Sequence, residues 1–202
     1  MIEIEKKFIV TEEQTKRLIS GAEFLGEKIL RNVYYDDVNY SLTSHDLWLR
    51  KRNGKFELKI PAQTMHDKTF ISQYSELETE EEIRNAFPLP FTGKTLDEDL
   101  KEKGFFPFVD YVNTRKKYKK DEFSLDFDDA DFSDFHYRML EIELLVENCE
   151  DTKKAVEKIL DFAQSHDLSL QKIRGKILEF LRRKRKEHYE TLVEKLHLSF
   201  DN

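Results

Sequence analysis

Asn53-Gly54 stands between Leu47 to Arg52 and Lys55 to Ile60, two runs in which apolar and polar or charged side chains alternate. Asn-Gly tolerates positive φ at both central positions of a type I′ turn, so the pair predicts a two-residue β-hairpin. So short a loop leaves the register no slack: Arg52 faces Lys55, Lys51 faces Phe56, Arg50 faces Glu57, Leu49 faces Leu58 and Trp48 faces Lys59. Side chains alternate across a strand, so one face collects Leu47, Leu49, Phe56, Leu58 and Ile60. The other collects Trp48, Arg50, Arg52, Lys55, Glu57 and Lys59. The hairpin is predicted to be apolar outside and cationic inside.

The same division recurs along the chain. In Ile2 to Val10, Ile2, Ile4 and Phe8 oppose Glu3, Glu5 and Lys7. In Glu122 to Asp128, Phe123, Leu125 and Phe127 oppose Ser124, Asp126 and Asp128; in Phe135 to Glu147, Leu140, Ile142, Leu144 and Val146 oppose Glu141 and Glu143. Further strands are predicted from Glu23 to Asp36, Phe70 to Glu78 and Phe106 to Lys119. One strand with a polar face ordinarily turns it to solvent, but charged faces of both signs on strand after strand suit a closed barrel with a wet lumen and helices outside. Capping boxes at Thr11/Gln14, Thr79/Glu82 and Thr95/Glu98 start three short helices, the first running through Ile19, the second stopping before Pro88 and the third closing at Gly104. Two more helical stretches follow, from about Asp151 to His166 and from Ser169 onward. With no internal repeat or linker, residues 1–202 are expected to form a single domain.

Composition narrows the function. Charged residues make up 37% of the chain and leave no apolar run long enough to span a bilayer, and Glu3, Glu5, Lys6 and Lys7 interrupt any signal peptide. A soluble, cytoplasmic protein with no membrane partner is expected. The formal charge of −7 argues against a nucleic-acid partner, and the run Arg182 to Lys186 reads as a solvated helix end or a basic rim. Only 6 glycines are present and no glycine-rich phosphate loop, so any phosphate must be held by side chains. The lone Cys149 reads as a small buried hydrophobe, and the six histidines, without metal spacing, read as surface residues, with His45, next to the Trp48 strand, near the mouth of the barrel.

Paired carboxylates want a hard cation, and neighbouring guanidinium and ammonium groups want anionic oxygens; together they fit a metal-chelated polyphosphate. The residues then amount to a resemblance. Glu3-Ile4-Glu5-Lys6-Lys7 is an E-x-E-x-K start, followed in order by Tyr34-Tyr35-Asp36, Trp48-Leu49-Arg50-Lys51-Arg52, Glu57-Leu58-Lys59, Thr114-Arg115, Leu125 to Phe132 and Glu141-Ile142-Glu143. This ordered set resembles the CYTH superfamily, the triphosphate tunnel metalloenzymes, and among its members is most similar to thiamine-triphosphatases.

The resemblance implies an α+β fold: a tunnel of eight antiparallel strands closed into a barrel, with flanking helices. It implies a substrate-binding set of Lys7, Trp48, Arg50, Arg52, Lys59, Arg115 and Lys176, and a metal-binding set of Glu3, Glu5, Asp126, Glu141 and Glu143 for Mg²⁺, or Mn²⁺ in its place. Asp128 is a supporting neighbour. The implied reaction is hydrolysis of thiamine triphosphate by a monomer, with inorganic triphosphate or a nucleoside triphosphate as the alternative substrate. Lys59 is the candidate for orienting or deprotonating water, on the expectation that neighbouring cations and low dielectric lower its pKa, with Tyr34 assisting. Its other reading is a phosphate clamp. Trp48, on the parity of Arg50 and Arg52, is expected to stack against the cationic thiazolium ring. Ile177 follows the helix lysine where thiamine-triphosphatases are expected to carry methionine.

Overall fold

The computed structural model describes residues 2–61, 72–87 and 95–200. The strands are β1 (Ile2–Phe8), β2 (Glu23–Asp36), β3 (Trp48–Arg52), β4 (Lys55–Pro61), β5 (Ser72–Leu77), β6 (Phe106–Lys120), β7 (Phe123–Asp131) and β8 (His136–Val146). The helices are α1 (Glu12–Ile19), α2 (Glu80–Ala86), α3 (Leu96–Glu102), α4 (Thr152–Ser165), α5 (Lys176–Lys184) and α6 (Lys186–Lys195). The eight strands close into an antiparallel barrel in the order β1-β5-β4-β3-β2-β6-β7-β8.

The β3–β4 hairpin has the register that its turn dictates, with Trp48 opposite Lys59, Arg50 opposite Glu57 and Arg52 opposite Lys55. Asn53 and Gly54 adopt φ of 47° and 85°, as a type I′ turn requires. Asn53 also ties the turn to β2. Its backbone N–H donates to the Arg31 carbonyl at 3.0 Å and its Oδ1 accepts the Arg31 N–H at 2.9 Å. All three capping boxes form at the starts of α1, α2 and α3.

Apolar outer faces are covered by helices. Ile4, Phe8, Leu125, Leu140 and Ile142 pack with Leu18 of α1 and with Val156, Ile159 and Phe162 of α4. Leu49, Phe56 and Leu58 pack with Ile83 of α2 and Leu96 and Leu100 of α3. Leu49 and Leu125 are fully buried, and truncating either to alanine costs about 2–5 kcal/mol. A third cluster joins Tyr34, Phe108, Tyr111, Ala130 and Phe132 to Ile177 and Leu181 of α5 and Leu192 of α6, so these two helices stop one end of the barrel.

Two expectations are corrected here. The last helical stretch starts at Lys176, not Ser169, and breaks at Arg185, where φ is −140° and ψ 68°. Residues 169–175 are held out of helix by tertiary bonds: the Arg174 carbonyl accepts the Tyr137 hydroxyl at 2.8 Å, and Gly175, the N-cap of α5, lies against the Lys7 side chain. Histidine 188 is not a surface residue. It is 1% exposed, stacks on Tyr40 with ring centroids 3.8 Å apart, and contacts Thr43 Oγ1 at 2.7 Å. Phe70 and Ile71, at the start of the predicted fifth strand, and the Cys149 side chain lie outside the described residues.

Candidate active site

Directly opposed residues in an antiparallel sheet share a face, so the registers trace the lumen. Glu5 opposes Glu143 and Lys7 opposes Glu141. Asp126 opposes Glu141 and Lys117; Arg115 opposes Asp128. Tyr34 opposes Arg50, and Lys59 opposes Trp48 and Glu76. Lys176 joins them from the first turn of α5, its Nζ 2.6 Å from Asp128 Oδ2 and 2.7 Å from Glu141 Oε1. The structure thus brings every residue of the predicted substrate and metal sets to one interior.

Most of these charges are paired with each other. Arg115 is the hub: it donates to Asp128 through Nε and Nη2 at 2.7 Å each, to Asp126 at 2.5 Å and to Glu141 at 2.6 Å. Lys59 Nζ lies 2.7 Å from Glu3 and 3.1 Å from Glu76. Arg50 donates to Glu57 at 2.7 Å, to Glu76 at 3.1 Å and to the Tyr34 hydroxyl at 3.2 Å. Lys7 pairs with Glu5.

The acids are nevertheless in local excess on one wall. Carboxylate oxygens of Glu3, Glu5 and Glu143 lie within 4.8 Å of one another. Burial, reinforced by Asp126, Glu3 and Glu141, pushes the Glu143 carboxyl well up, and burial also raises Glu3 and Asp126. Burial acts the same way on Glu5, but Lys7 and Lys59 outweigh it and hold that carboxyl down to about 2. The Asp126 Oδ1 atom is buried without a hydrogen-bond partner. An all-oxygen set of crowded, desolvated carboxylates fits a hard divalent cation.

Lys59 is corrected in one respect. Burial lowers its pKa, but Glu5, Glu3 and Glu76 raise it further, so the ammonium is held above its ordinary range rather than near neutrality. Cations were expected to dominate its surroundings; carboxylates do. For Tyr34 burial raises the phenol, and Arg50, Arg52 and Lys59 outweigh it and bring it down.

Several lumenal residues were not singled out by sequence. Glu76 sits on β5, which begins at Ser72, well beyond the end of β4 at Pro61, so the sequence gives no two-residue hairpin from which to read its register. Asn113 donates to Asp128 Oδ1 at 2.8 Å and stands two residues before Arg115, where strand parity alone could have found it. Asp46 adopts φ of 61° just outside β3, off the strand pattern, and its Oδ1 accepts from Trp48 Nε1 and the Tyr74 hydroxyl, both at 2.8 Å. The basic run is largely neutralised in cis: Arg182 and Arg183 bond Glu179, Lys184 bonds Asp134, and Lys186 lies 3.5 Å from Glu190. Among the described residues no helix is long and apolar enough to cross a membrane.

Comparison with known proteins agrees with this geometry. The CYTH domain model matches residues 1–176. The thiamine-triphosphatases of Homo sapiens and Macaca fascicularis are each similar at 28% identity, over 96% of this chain and 90% of theirs. A solved protein of Pyrococcus horikoshii OT3 shares the fold with a TM-score of 0.65 at 23% identity, covering 91% of this chain and 99% of its own. An adenylyl cyclase homologue from Hippeastrum, described as having a dominant triphosphatase activity, shares it with a TM-score of 0.57 at 16% identity, over 93% of this chain and 98% of its own.

Proposed function

The chain belongs to the CYTH domain family, and from that premise we propose that it hydrolyses thiamine triphosphate to thiamine diphosphate and phosphate with the help of Mg²⁺. The observation that carries the reading is the lumenal band itself: Arg50, Arg52, Lys59, Arg115 and Lys176 on the same interior surface as the Glu3, Glu5 and Glu143 trio. Trp48 favours thiamine over a bare polyphosphate, because it lies on that surface and packs against the cluster containing Tyr34 and Ile177.

In this reading Glu3, Glu5 and Glu143, with Asp126 and Glu141 beside them, hold the divalent ion. When bound, Mg²⁺ withdraws charge from phosphate oxygens as a Lewis acid. The present carboxylate partners keep the cations positioned before substrate arrives, and the cations exchange them for the phosphates. Arg50 and Arg52 offer forked contacts and Lys7, Lys59 and Lys176 point charges. Tyr34 orients Arg50 by accepting its Nη1–H. Water adds to the terminal phosphorus, the bridging P–O bond breaks, and the departing diphosphate's charge is met by these cations. Lys59, held protonated by Glu5 and Glu3 against the effect of burial, acts here as a phosphate clamp that also orients the water. No covalent nucleophile enters.

The alternative is the same tunnel acting on inorganic triphosphate or a nucleoside triphosphate. The test is kcat/KM with Mg²⁺ on thiamine triphosphate, inorganic triphosphate and ATP. The proposal predicts the highest value for thiamine triphosphate; equal or higher values for the others overturn the thiamine assignment, and no turnover of any overturns the enzyme.

A further inference from the structure

Among the described lumenal carboxylates, Asp46 is distinguished by having no ion pair. Glu3, Glu5, Glu57, Glu76, Asp126, Asp128, Glu141 and Glu143 each have a lysine or arginine nitrogen within 4.0 Å. The bonds that Asp46 receives come from aromatic groups, the Trp48 indole N–H and the Tyr74 hydroxyl, and both go to the same oxygen, Oδ1. Among the described residues none donates a hydrogen bond to Oδ2. Burial raises this carboxyl, with the two aromatic donors and the more distant Lys7 compensating in part.

Position sharpens the point. Asp46 stands two residues before Trp48, and Trp48 packs at the end of the barrel stopped by Ile177 and Leu181 of α5. A carboxylate there repels phosphate and attracts positive charge, so Asp46 distinguishes the anionic end of a substrate from a cationic one. A desolvated carboxylate beside an indole is matched by a delocalised organic cation, which gains from the charge and from the aromatic surface together.

We infer that Asp46 is a specificity-determining residue, whose carboxylate, with the Trp48 ring, receives a permanently cationic ring system attached to the triphosphate. The inference rests on the proposed function and deepens it: the feature selected is positive charge on the organic end, so a neutral nucleobase gains nothing there. An entirely structural Asp46 would serve only to anchor Trp48 and Tyr74.

Asp46→Asn separates the two roles, because the amide keeps an oxygen for both donors and loses the charge. Trp48 is the single tryptophan of the chain, so its fluorescence reports occupancy directly. Thiamine, which carries the cation without phosphate, is expected to quench wild-type fluorescence, and Asp46→Asn to weaken its binding about tenfold. The ratio of kcat/KM on thiamine triphosphate to that on inorganic triphosphate should fall by a similar factor. Unchanged thiamine binding and an unchanged ratio in Asp46→Asn, with loss confined to Asp46→Ala, overturn the inference and leave the hydrolase standing. A wild-type enzyme that turns over no triphosphate while thiamine still quenches Trp48 in an Asp46-dependent manner overturns the hydrolase instead. Absence of quenching in the wild type counts against the cation subsite.

Discussion

Lys59 of β4 and Glu3 of β1 meet inside the lumen over the intervening β5, Nζ to Oε1 at 2.7 Å, which makes a proposed phosphate clamp the direct partner of a proposed metal ligand. The pairing bears on what Lys59 does. Burial would lower its pKa, but Glu5 and Glu3 raise it further, so it remains charged through the neutral range. Lys59→Arg, which keeps the charge, is therefore expected to retain kcat/KM to within about tenfold and to leave the basic limb of the pH–rate profile where it is. Disappearance of that limb would restore Lys59 as the base.

Arg115 compensates three carboxylates at once, Asp126, Asp128 and Glu141, and all three are buried on the barrel wall. Removing the guanidinium leaves uncompensated charge rather than a simple gap. Arg115→Met is expected to destabilise the fold by about 3–5 kcal/mol in urea denaturation, more than a single exposed ion pair is worth. A loss below about 1 kcal/mol would show that the acids find other partners.

His188 links α6 to the segment before β3 through Thr43, whose hydroxyl donates to Asp36 Oδ2 at 2.6 Å. Burial, with Arg185 adding to it, lowers the imidazole pKa to about 4, from an ordinary value of 6.5. The unfolded chain therefore binds the proton more readily, and the stability held by neutral His188 is lost as pH falls from about 6.5 toward 4. His188→Gln should flatten this part of a Tm-against-pH curve. Parallel curves for the two proteins would contradict the assignment.

What sequence could show was local. Asn53-Gly54 specifies its own turn, the capping boxes specify helix starts, and parity along β1, β3, β7 and β8 divides lumen from exterior; each is carried by neighbouring residues. The rest depends on distant packing. The proton affinity of Lys59 is set by Glu3 and Glu5 on β1 and Glu76 on β5, a strand whose pairing no turn announces. His188 has the spacing of a surface helix residue and is buried because Tyr40, Thr43 and Phe108 enclose it. Likewise nothing in residues 169–175 forbids helix; the hydrogen bond from Tyr137 to the Arg174 carbonyl holds part of that segment across the barrel.

Glu143 tests the metal wall by itself. Burial and the neighbouring Asp126, Glu3 and Glu141 make its negative charge costly without a cation. Glu143→Gln should raise the Tm of the metal-free protein and reduce the further increase produced by Mg²⁺, as differential scanning calorimetry would reveal. An equal Mg²⁺ increment in both proteins would remove Glu143 from the ligand set.

The joint action of acids and cations on one metal-chelated triphosphate is tested most directly by phosphate release from thiamine triphosphate, followed with Mg²⁺ and again after chelation. The account predicts turnover with Mg²⁺, its loss on chelation and its return when Mg²⁺ is restored. Release that proceeds equally well in chelator, or no release under either condition, would contradict it.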